Sequence, residues 1–321
     1  MSHLTTILVP AADTYLTSDG GPEASPVTIL SDLPNVRILS YHVNQPLPDG
    51  AAEAEVLVTG GSVHAHDLPG FPAALPKLRM IQTLSAGVNN WLGNVPEGVI
   101  LANGRGAHGG ATAEWAITAL LAIYRDFPTY ILQQQSHTWD RVRSEGLFGK
   151  KVLIVGAGDL ATQLTRRLVA FDAEVTLVGR TAREGVHAMT ELATLVPQHD
   201  AVVLMVPQTT ATTHLVNAEF LSWMRDGAVL INAARGPIVD TGALVAALQT
   251  GRLRAGLDVT DPEPLPADHP LWDAPNVLIT PHVGGATDGG DLRGWTVARK
   301  QIAQLLRGER PSNAFAPEDT L

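Results

Sequence analysis

"KVLIVGAGDLATQL", residues 151–164, is the stretch on which the fold turns. Val152, Leu153, Ile154 and Val155 run without a polar break, as in a strand covered on both faces. Gly156-Ala157-Gly158 follows directly, and Leu160, Ala161 and Leu164 then recur at helical spacing. A strand, a glycine turn and a helix in this order begin a parallel crossover unit. Gly156 permits the tight turn, and Gly158 lets a ligand come close to the backbone. The helix opening at Asp159 and Leu160 presents free amides suited to a pyrophosphate. Ala161 takes the third glycine position, where helix and strand pack.

The pattern repeats on either side. After residue 150, apolar runs lie at 151–156, 174–179, 201–207, 228–234, 254–260 and 276–282, separated by helix-like segments. They have little polar alternation, and six such runs predict a complete doubly wound sheet. Before residue 105, shorter runs at 6–10, 36–42, 55–60, 78–85 and 99–103 predict a second, mostly parallel α/β sheet. A chain of 321 residues exceeds what one core usually serves, so two domains are expected. "TAEWAITALLAIYRDFP" (112–128) is apolar on nearly every face. It predicts a buried helix within the fold or between domains or subunits. "DLRGWTVARKQIAQLLRGE" (291–309) predicts an amphipathic helix.

Composition narrows the function classes. Apolar residues are 45% and charged residues 17%, as in a compact globule. A net charge of −10 argues against a nucleic-acid surface. With no cysteine, disulfides, thiolate chemistry and Cys-based zinc sites are excluded. The N-terminus lacks a basic segment followed by an apolar core. "WAITALLAIY" (115–124) is too short to span a bilayer. We therefore expect a cytoplasmic protein with no membrane or nucleic-acid partner.

The second strand of the later series ends in "VTLVGRTAR" (175–183). About 20 residues past the glycine turn, a dinucleotide fold that selects NAD(H) carries a carboxylate for the ribose 2′-hydroxyl. Gly179 stands there instead, followed by Arg180, Thr181 and Arg183. A carboxylate would repel a 2′-phosphate, whereas these residues can donate to its oxygens. This predicts NADP(H) in preference to NAD(H); the alternative is a solvated arginine loop.

Three late motifs place reactive side chains after consecutive strands: Arg235 in "NAARGPIVD" (232–240), Asp258 and Glu263 in "GLDVTDPEPLP" (256–266), and His282 in "PNVLITPHVGG" (275–285). The carboxyl ends of strands in an open α/β sheet are where ligands bind. With the glycine turn and "VPQTTATTHLVN" (206–217), in this order and at these spacings, the chain resembles the D-isomer-specific 2-hydroxyacid dehydrogenases. "LRMIQTLSAGVNNW" (78–91) resembles that family's substrate-side loop and "TAEWAITALLA" its domain-connecting helix.

The resemblance implies a fold and a set of roles. A Rossmann coenzyme domain (105–287) would be inserted in a flavodoxin-like substrate domain (1–104 and 288–321), with a cleft between them and a homodimer as the assembly. His282 would be the acid in reduction and the base in oxidation. Glu263 would hold His282 and favour its imidazolium form. Arg235 would bind the substrate carboxylate and polarise the carbonyl, and the backbone at Ser85, Ala86, Gly87 and Val88 would hold the same carboxylate. Pro207, Thr212, Ala233, Asp258 and Gly284 would line the coenzyme site. The chemistry independently asks for these types: an imidazole to protonate the developing alkoxide, a guanidinium to pin a planar carboxylate, and no metal.

Two stretches depart from the family's text. The turn reads "GAGDLA", placing Asp159 near a pyrophosphate, and "NGRGAHGGATAEW" (103–115) is unusual ahead of the connecting helix. Arg105 and His108 within it are candidates for tuning substrate choice, or are simply solvated. His64 and His66 in "SVHAHD" (62–67) lack a third ligand type beside them and read as a substrate-domain loop rather than a metal site. The expected activity is NADPH-dependent reduction of a small 2-keto acid of the glyoxylate or hydroxypyruvate type. A phosphoglycerate-dehydrogenase-like enzyme using NAD is the near alternative, although the chain ends before the regulatory domains that some of those carry. A dinucleotide-sensing protein resembling the corepressors built on this fold is the alternative from another class.

Overall fold

The computed structural model describes residues 3–11, 25–61 and 63–315. The chain divides into two compact units: Met1–His108 with Ala286–Thr320, and Gly109–Gly285.

The first unit is built on five strands: β1 (Thr5–Pro10), β2 (Val36–Tyr41), β3 (Ala54–Thr59), β4 (Met80–Thr83) and β5 (Ile100–Ala102). Their order is β2-β1-β3-β4-β5, and every pairing is parallel. This is the flavodoxin-like order expected of a doubly wound sheet. Alternate residues serve opposite faces. Ile7, Val9, Val56, Val58 and Met80 pack against Leu30, Trp295, Ala298 and Ile302. Leu30 ends the short helix α1 (Pro26–Leu30), and the other three lie on the helix Gly290–Leu306. Leu8, Leu57 and Ile81 face the other way, onto Leu68, Leu75, Val88 and Trp91. Turns and short 3-10 segments, not α-helices, supply that second cover. Pro69, Gly70, Pro72 and Pro76 fall where a crossover helix would otherwise run, and proline inside a helix removes a hydrogen bond and clashes with the preceding turn.

The central unit carries a seven-stranded, wholly parallel sheet. Its strands are β6 (Lys151–Val155), β7 (Glu174–Gly179), β8 (His187–Ala188), β9 (Ala201–Leu204), β10 (Val229–Asn232), β11 (Arg254–Leu257) and β12 (Val277–Ile279). The order β12-β11-β10-β9-β6-β7-β8 reverses direction beside β6, which is the dinucleotide-binding arrangement with its ligand crevice at the switch point. The expected six runs are all strands. The two-residue edge strand β8 was not foreseen, being too short to carry a period.

Helices cover both faces. They are α2 (Gly109–Tyr124), α3 (Phe127–Gln135), α4 (Asp159–Ala170), α5 (Leu192–Leu195), α6 (Ala218–Trp223) and α7 (Thr241–Gln249). Val152, Ile154, Val203 and Ile231 meet Ala113, Ala116 and Leu120 of α2 and Ala161, Leu164 and Leu168 of α4. Leu153, Val155, Leu204 and Leu230 meet Phe220, Leu221, Leu244 and Leu248 from α6 and α7. Each large side chain so buried contributes about 1.5–3 kcal/mol. The apolar face of α2 is thus spent on its own sheet. Asn217 and Asp240 cap α6 and α7 by accepting from Phe220 N and Ala243 N. Among the described residues no helix is long and apolar enough to cross a membrane.

Candidate active site

The strands of the central unit stop earlier than their apolar runs. β9, β10, β11 and β12 end at Leu204, Asn232, Leu257 and Ile279, and the remaining residues curl into loops that carry polar groups. At β10 the cause is Asn232. Its Nδ2 donates to Arg235 O at 3.0 Å and its Oδ1 accepts from Ala234 N at 3.1 Å. These bonds turn the chain out of the ladder and aim residue 235 outward.

Gly156 has φ +124°, and a Cβ there would overlap the Met205 carbonyl, so only glycine fits. Its N–H donates to Val178 O at 2.8 Å, tying the turn to β7. Gly158 is the N-cap of α4, and the space where its Cβ would stand is open. Ala161 is fully buried and Leu160 packs partly buried on the same core. An open glycine, backed by a twelve-residue helix that starts there, fits a dinucleotide pyrophosphate.

At the end of β7, Gly179 is buried and Arg180, Thr181 and Arg183 are exposed. Arg183 Nη2 donates to Ala157 O at 2.9 Å. Its backbone exchanges two 2.9 Å hydrogen bonds with Val186. A Cβ at residue 179 would stand 3.1 Å from Arg183 Nη1 and 3.5 Å from Ala157 Cβ. The Arg183 guanidinium therefore lies across the end of β7 and against the glycine turn. The Arg183–Val186 bridge that sets this pose left no signal in the sequence.

Thr212 is buried, and its hydroxyl donates to Pro207 O at 2.7 Å while accepting from Thr209 N at 2.8 Å. Pro207 itself is exposed, and Ala233 is buried behind the Asn232 turn.

His282 and Glu263 meet: Nδ1 lies 2.5 Å from Oε1. A carboxylate oxygen only accepts, which assigns the proton to Nδ1 and leaves Nε2 for another partner. Both side chains are roughly half exposed, so Nε2 is reachable. His282 takes φ +55°, and its N–H bonds Asp258 O at 2.7 Å. The loop is fixed mainly by Asp258, which is buried. Oδ1 accepts from Thr280 Oγ1 at 2.7 Å and Val283 N at 2.8 Å, and Oδ2 from Gly284 N at 2.8 Å. A Cβ on Gly284 would press on that carboxylate. Asp258 and Gly284 thus brace the histidine loop, and Thr280, which sequence reasoning passed over, belongs with them. On the Glu263 side, Thr260 Oγ1 donates to Pro262 O at 2.9 Å and Thr241 Oγ1 to Asp261 O at 2.7 Å.

Arg235 donates Nη1 to Ala234 O at 2.6 Å. Gly236 follows it against the Thr260 carbonyl, where no side chain fits. Burial pushes the Arg235 guanidinium below its usual pKa, and the negative charge of Glu263 opposes that shift. Arg235 stays cationic near neutrality because its ordinary pKa is so high. The central unit therefore brings Arg235, Glu263 and His282 within one electrostatic neighbourhood.

Ser85, Ala86, Gly87 and Val88 follow β4 in the first unit. Thr83 Oγ1 and Gly104 N both donate to Ser85 O at 2.7 Å, and Ser85 Oγ donates to Gly87 O at 2.9 Å. Val88 is buried. Among the described residues, none of the amides of residues 85–88 donates a backbone hydrogen bond. A run of such amides is a natural anion receptor. Arg105 is engaged with Ser312 O at 3.1 Å and Asn313 Oδ1 at 3.3 Å, and His108 Nε2 lies 3.2 Å from Leu84 O. The His64 and His66 rings stack at 5.0 Å, with Asp67 3.5 Å from His66. The described residues include no cluster of three metal-ligating side chains.

A profile of the D-isomer specific 2-hydroxyacid dehydrogenase NAD-binding domain matches residues 117–284. A glyoxylate reductase of Thermofilum pendens is 34% identical over 255 residues, 74% of this chain and 75% of that one. A D-3-phosphoglycerate dehydrogenase of Methanocaldococcus jannaschii is 30% identical over 299 residues, 89% of this chain but 56% of its own. This chain thus spans little more than half of that relative. The crystal structure of a D-isomer specific 2-hydroxyacid dehydrogenase from Xanthobacter autotrophicus Py2, in complex with NADPH and MES, superposes with a TM-score of 0.82 at 29% identity. The match covers 98% of this chain and 100% of that one.

Proposed function

The chain belongs to the D-isomer-specific 2-hydroxyacid dehydrogenase family, and on that footing we propose that it reduces a small 2-keto acid of the glyoxylate or hydroxypyruvate type to the D-2-hydroxy acid, using NADPH. Members of the family are oxidoreductases that use NAD(P). The observation that carries the reading is the 2.5 Å contact of His282 with Glu263, in the electrostatic range of Arg235.

Arg235 takes the substrate carboxylate, and the amides of residues 85–88 are an anion receptor of the first unit suited to the same group. Arg235 also draws electron density toward the carbonyl oxygen. Bound NADPH supplies the hydride. His282 delivers the Nε2 proton to the oxygen as negative charge develops there, and Glu263 stabilises the imidazolium before transfer and orients it throughout. In oxidation His282 removes the hydroxyl proton. Pro207, Thr212, Ala233, Asp258 and Gly284 shape the coenzyme side of the site.

Two features support NADPH. Gly179 puts no carboxylate beside the adenosine ribose, and Arg183 is held against the glycine turn by Ala157 O. Arg180→Ala combined with Arg183→Ala is expected to raise KM for NADPH by about tenfold or more while KM for NADH stays nearly unchanged. Equal losses for both coenzymes would show that the arginines do not read the 2′-phosphate. The broader test is absorbance of the reduced nicotinamide with a panel of 2-keto acids and each coenzyme. A clear NADH preference overturns the cofactor assignment. No turnover with any acid favours the sensor reading, against which the assembled Arg235, Glu263 and His282 already weigh.

The phosphoglycerate-dehydrogenase reading requires recognition of a phosphate, for which fixed cations are the usual device. No Lys or Arg precedes Arg37, and the segments following β1 to β5 contain Lys77, Arg79 and Arg105; Lys77 and Arg79 stand just before β4 and pair with Glu53 and Glu55. The Arg105 guanidinium is turned to Ser312 and Asn313. A small unphosphorylated acid suits these loops better.

We assign the homodimer contact to α3 and the segment after it, since α2 is spent on its own sheet. Phe127, Ile131, Leu132, Val142 and Phe148 are exposed there, and Trp139 is 95% exposed. A cavity of about 520 Å³ opens beside them, lined by Tyr130, Gln134, His137, Trp139 and Val142 among others. Apolar exposure of this extent on one segment marks an association surface. Sedimentation should give a dimer for the native chain and a monomer for Leu132→Glu with Trp139→Ala. A native monomer sinks the assignment.

A further inference from the structure

The two departures from the family's text, Asp159 in the glycine turn and Gly109-Gly110 at the start of α2, meet in space. A Cβ on Gly109 would overlap Asp159 Oδ2, and would stand 3.1 Å from Asp159 Cγ and 3.6 Å from Gln163 Cγ. A Cβ on Gly110 would lie 3.6 Å from Arg167 Nη2. Arg167 Nη1 in turn donates to Gln163 O at 2.9 Å and Gln163 Oε1 at 3.3 Å. One stripe of α4, spaced a turn apart, thus runs along the glycine start of α2, with the carboxylate of Asp159 against the α-carbon of Gly109.

The electrostatics give this contact a purpose. Asp159 is the first residue of α4, beside the amides that receive a pyrophosphate. Its backbone is fixed by the turn, so only its side-chain torsion decides where the charge stands. The first turn of α2 has no acidic residue of its own, and a carboxylate at a helix N-terminus is stabilised by the free amides and the helix dipole. Without a side chain at residue 109, the carboxylate can settle there.

We propose that Gly109 is a positioning residue for the coenzyme: it holds open the berth in which α2 draws the Asp159 charge away from the dinucleotide. With a side chain at residue 109, the short aspartate arm must rotate and present its charge to the turn. The effect falls on the pyrophosphate, which NADPH and NADH share, and is independent of the 2′-phosphate reading at Arg180 and Arg183. The proposal rests on dinucleotide binding by the central unit.

The test is a thermodynamic cycle read by coenzyme titration of the full-length protein, following intrinsic tryptophan fluorescence or heat, with no turnover required. Gly109 lies outside the left-handed region, so alanine suits its backbone and favours the helix. Gly109→Ala is expected to raise Kd for NADPH and NADH by the same factor, about five- to thirtyfold. Asp159→Asn alone should shift Kd by less than about threefold, and Gly109→Ala with Asp159→Asn should return to that level. An unchanged Kd in Gly109→Ala, a loss confined to one coenzyme, or a double variant as weak as the single overturns the proposal. So does a tightening of about tenfold in Asp159→Asn alone, which would mean that the native carboxylate already faces the pyrophosphate. That variant removes no packing volume and keeps the test open if Gly109→Ala fails to fold. If the native protein binds neither coenzyme, the dinucleotide reading itself fails, an outcome distinct from any of these.

Discussion

His282→Asn should lower kcat for 2-keto acid reduction by about 10²–10⁴-fold, the range for loss of a positioned proton donor. Asparagine is the informative replacement because residue 282 has φ +55°, a conformation in which Asn is enriched and alanine is strained. The loop bonds through Asp258, Thr280 and Gly284 use none of the imidazole atoms, so they survive the change. An Asn amide can still donate toward Glu263. What is lost is a group that gives up a proton near neutral pH. Coenzyme Kd and the thermal midpoint are therefore expected to stay close to native while kcat collapses, a pattern that separates chemistry from folding. A kcat within about tenfold of native would show that the proton comes from elsewhere and would remove His282 from the mechanism.

The architecture was legible because its signals are local and repeated. The apolar runs of the central unit differ little from the strands they became, and the glycine turn stood in the right context. The strand ends were less legible. Runs such as 228–234 read as continuous strand, but Asn232 turns the backbone out of the ladder with two side-chain bonds. Periodicity is blind to such capture. The same limit hid Thr280, whose partner Asp258 follows another strand, while the Arg183–Val186 bridge spans too few residues to carry a period. In the first unit the connection between β3 and β4, interrupted by Pro69, Pro72 and Pro76, is built of turns rather than a crossover helix. The apolar run 112–128 is not one buried helix: α2 ends at Tyr124 and packs on the central sheet, the chain breaks at Asp126, and Phe127 opens α3, where the apolar side chains are exposed. Asp159 and the 103–115 stretch stood out separately in the sequence, each as a departure from the family's text. That Gly109 and Asp159 adjoin is visible only in space.

Arg235→Gln should lower kcat/KM for the 2-keto acid by about 10²–10³-fold or more, as when one partner of a buried, hydrogen-bonded charge pair is removed. Arg235 already spends one N–H on Ala234 O, which fixes the guanidinium plane and leaves its other donors for a carboxylate. Arg235→Lys keeps the charge but not the planar fork, and should recover only part of the loss. Arg235→Gln also leaves Glu263 short of its cationic neighbour, so the His282–Glu263 pair becomes more negative at the position where a substrate anion must approach. The loss in Arg235→Gln should therefore grow as ionic strength falls, because screening weakens that repulsion. It should appear in kcat/KM for the acid and leave coenzyme Kd unchanged, since the substrate carboxylate, not the dinucleotide, is the ligand. Equal activity of Arg235→Lys and the native protein would reduce Arg235 to a point charge. A kcat/KM for Arg235→Gln within about tenfold of native would show that the carboxylate is held without Arg235.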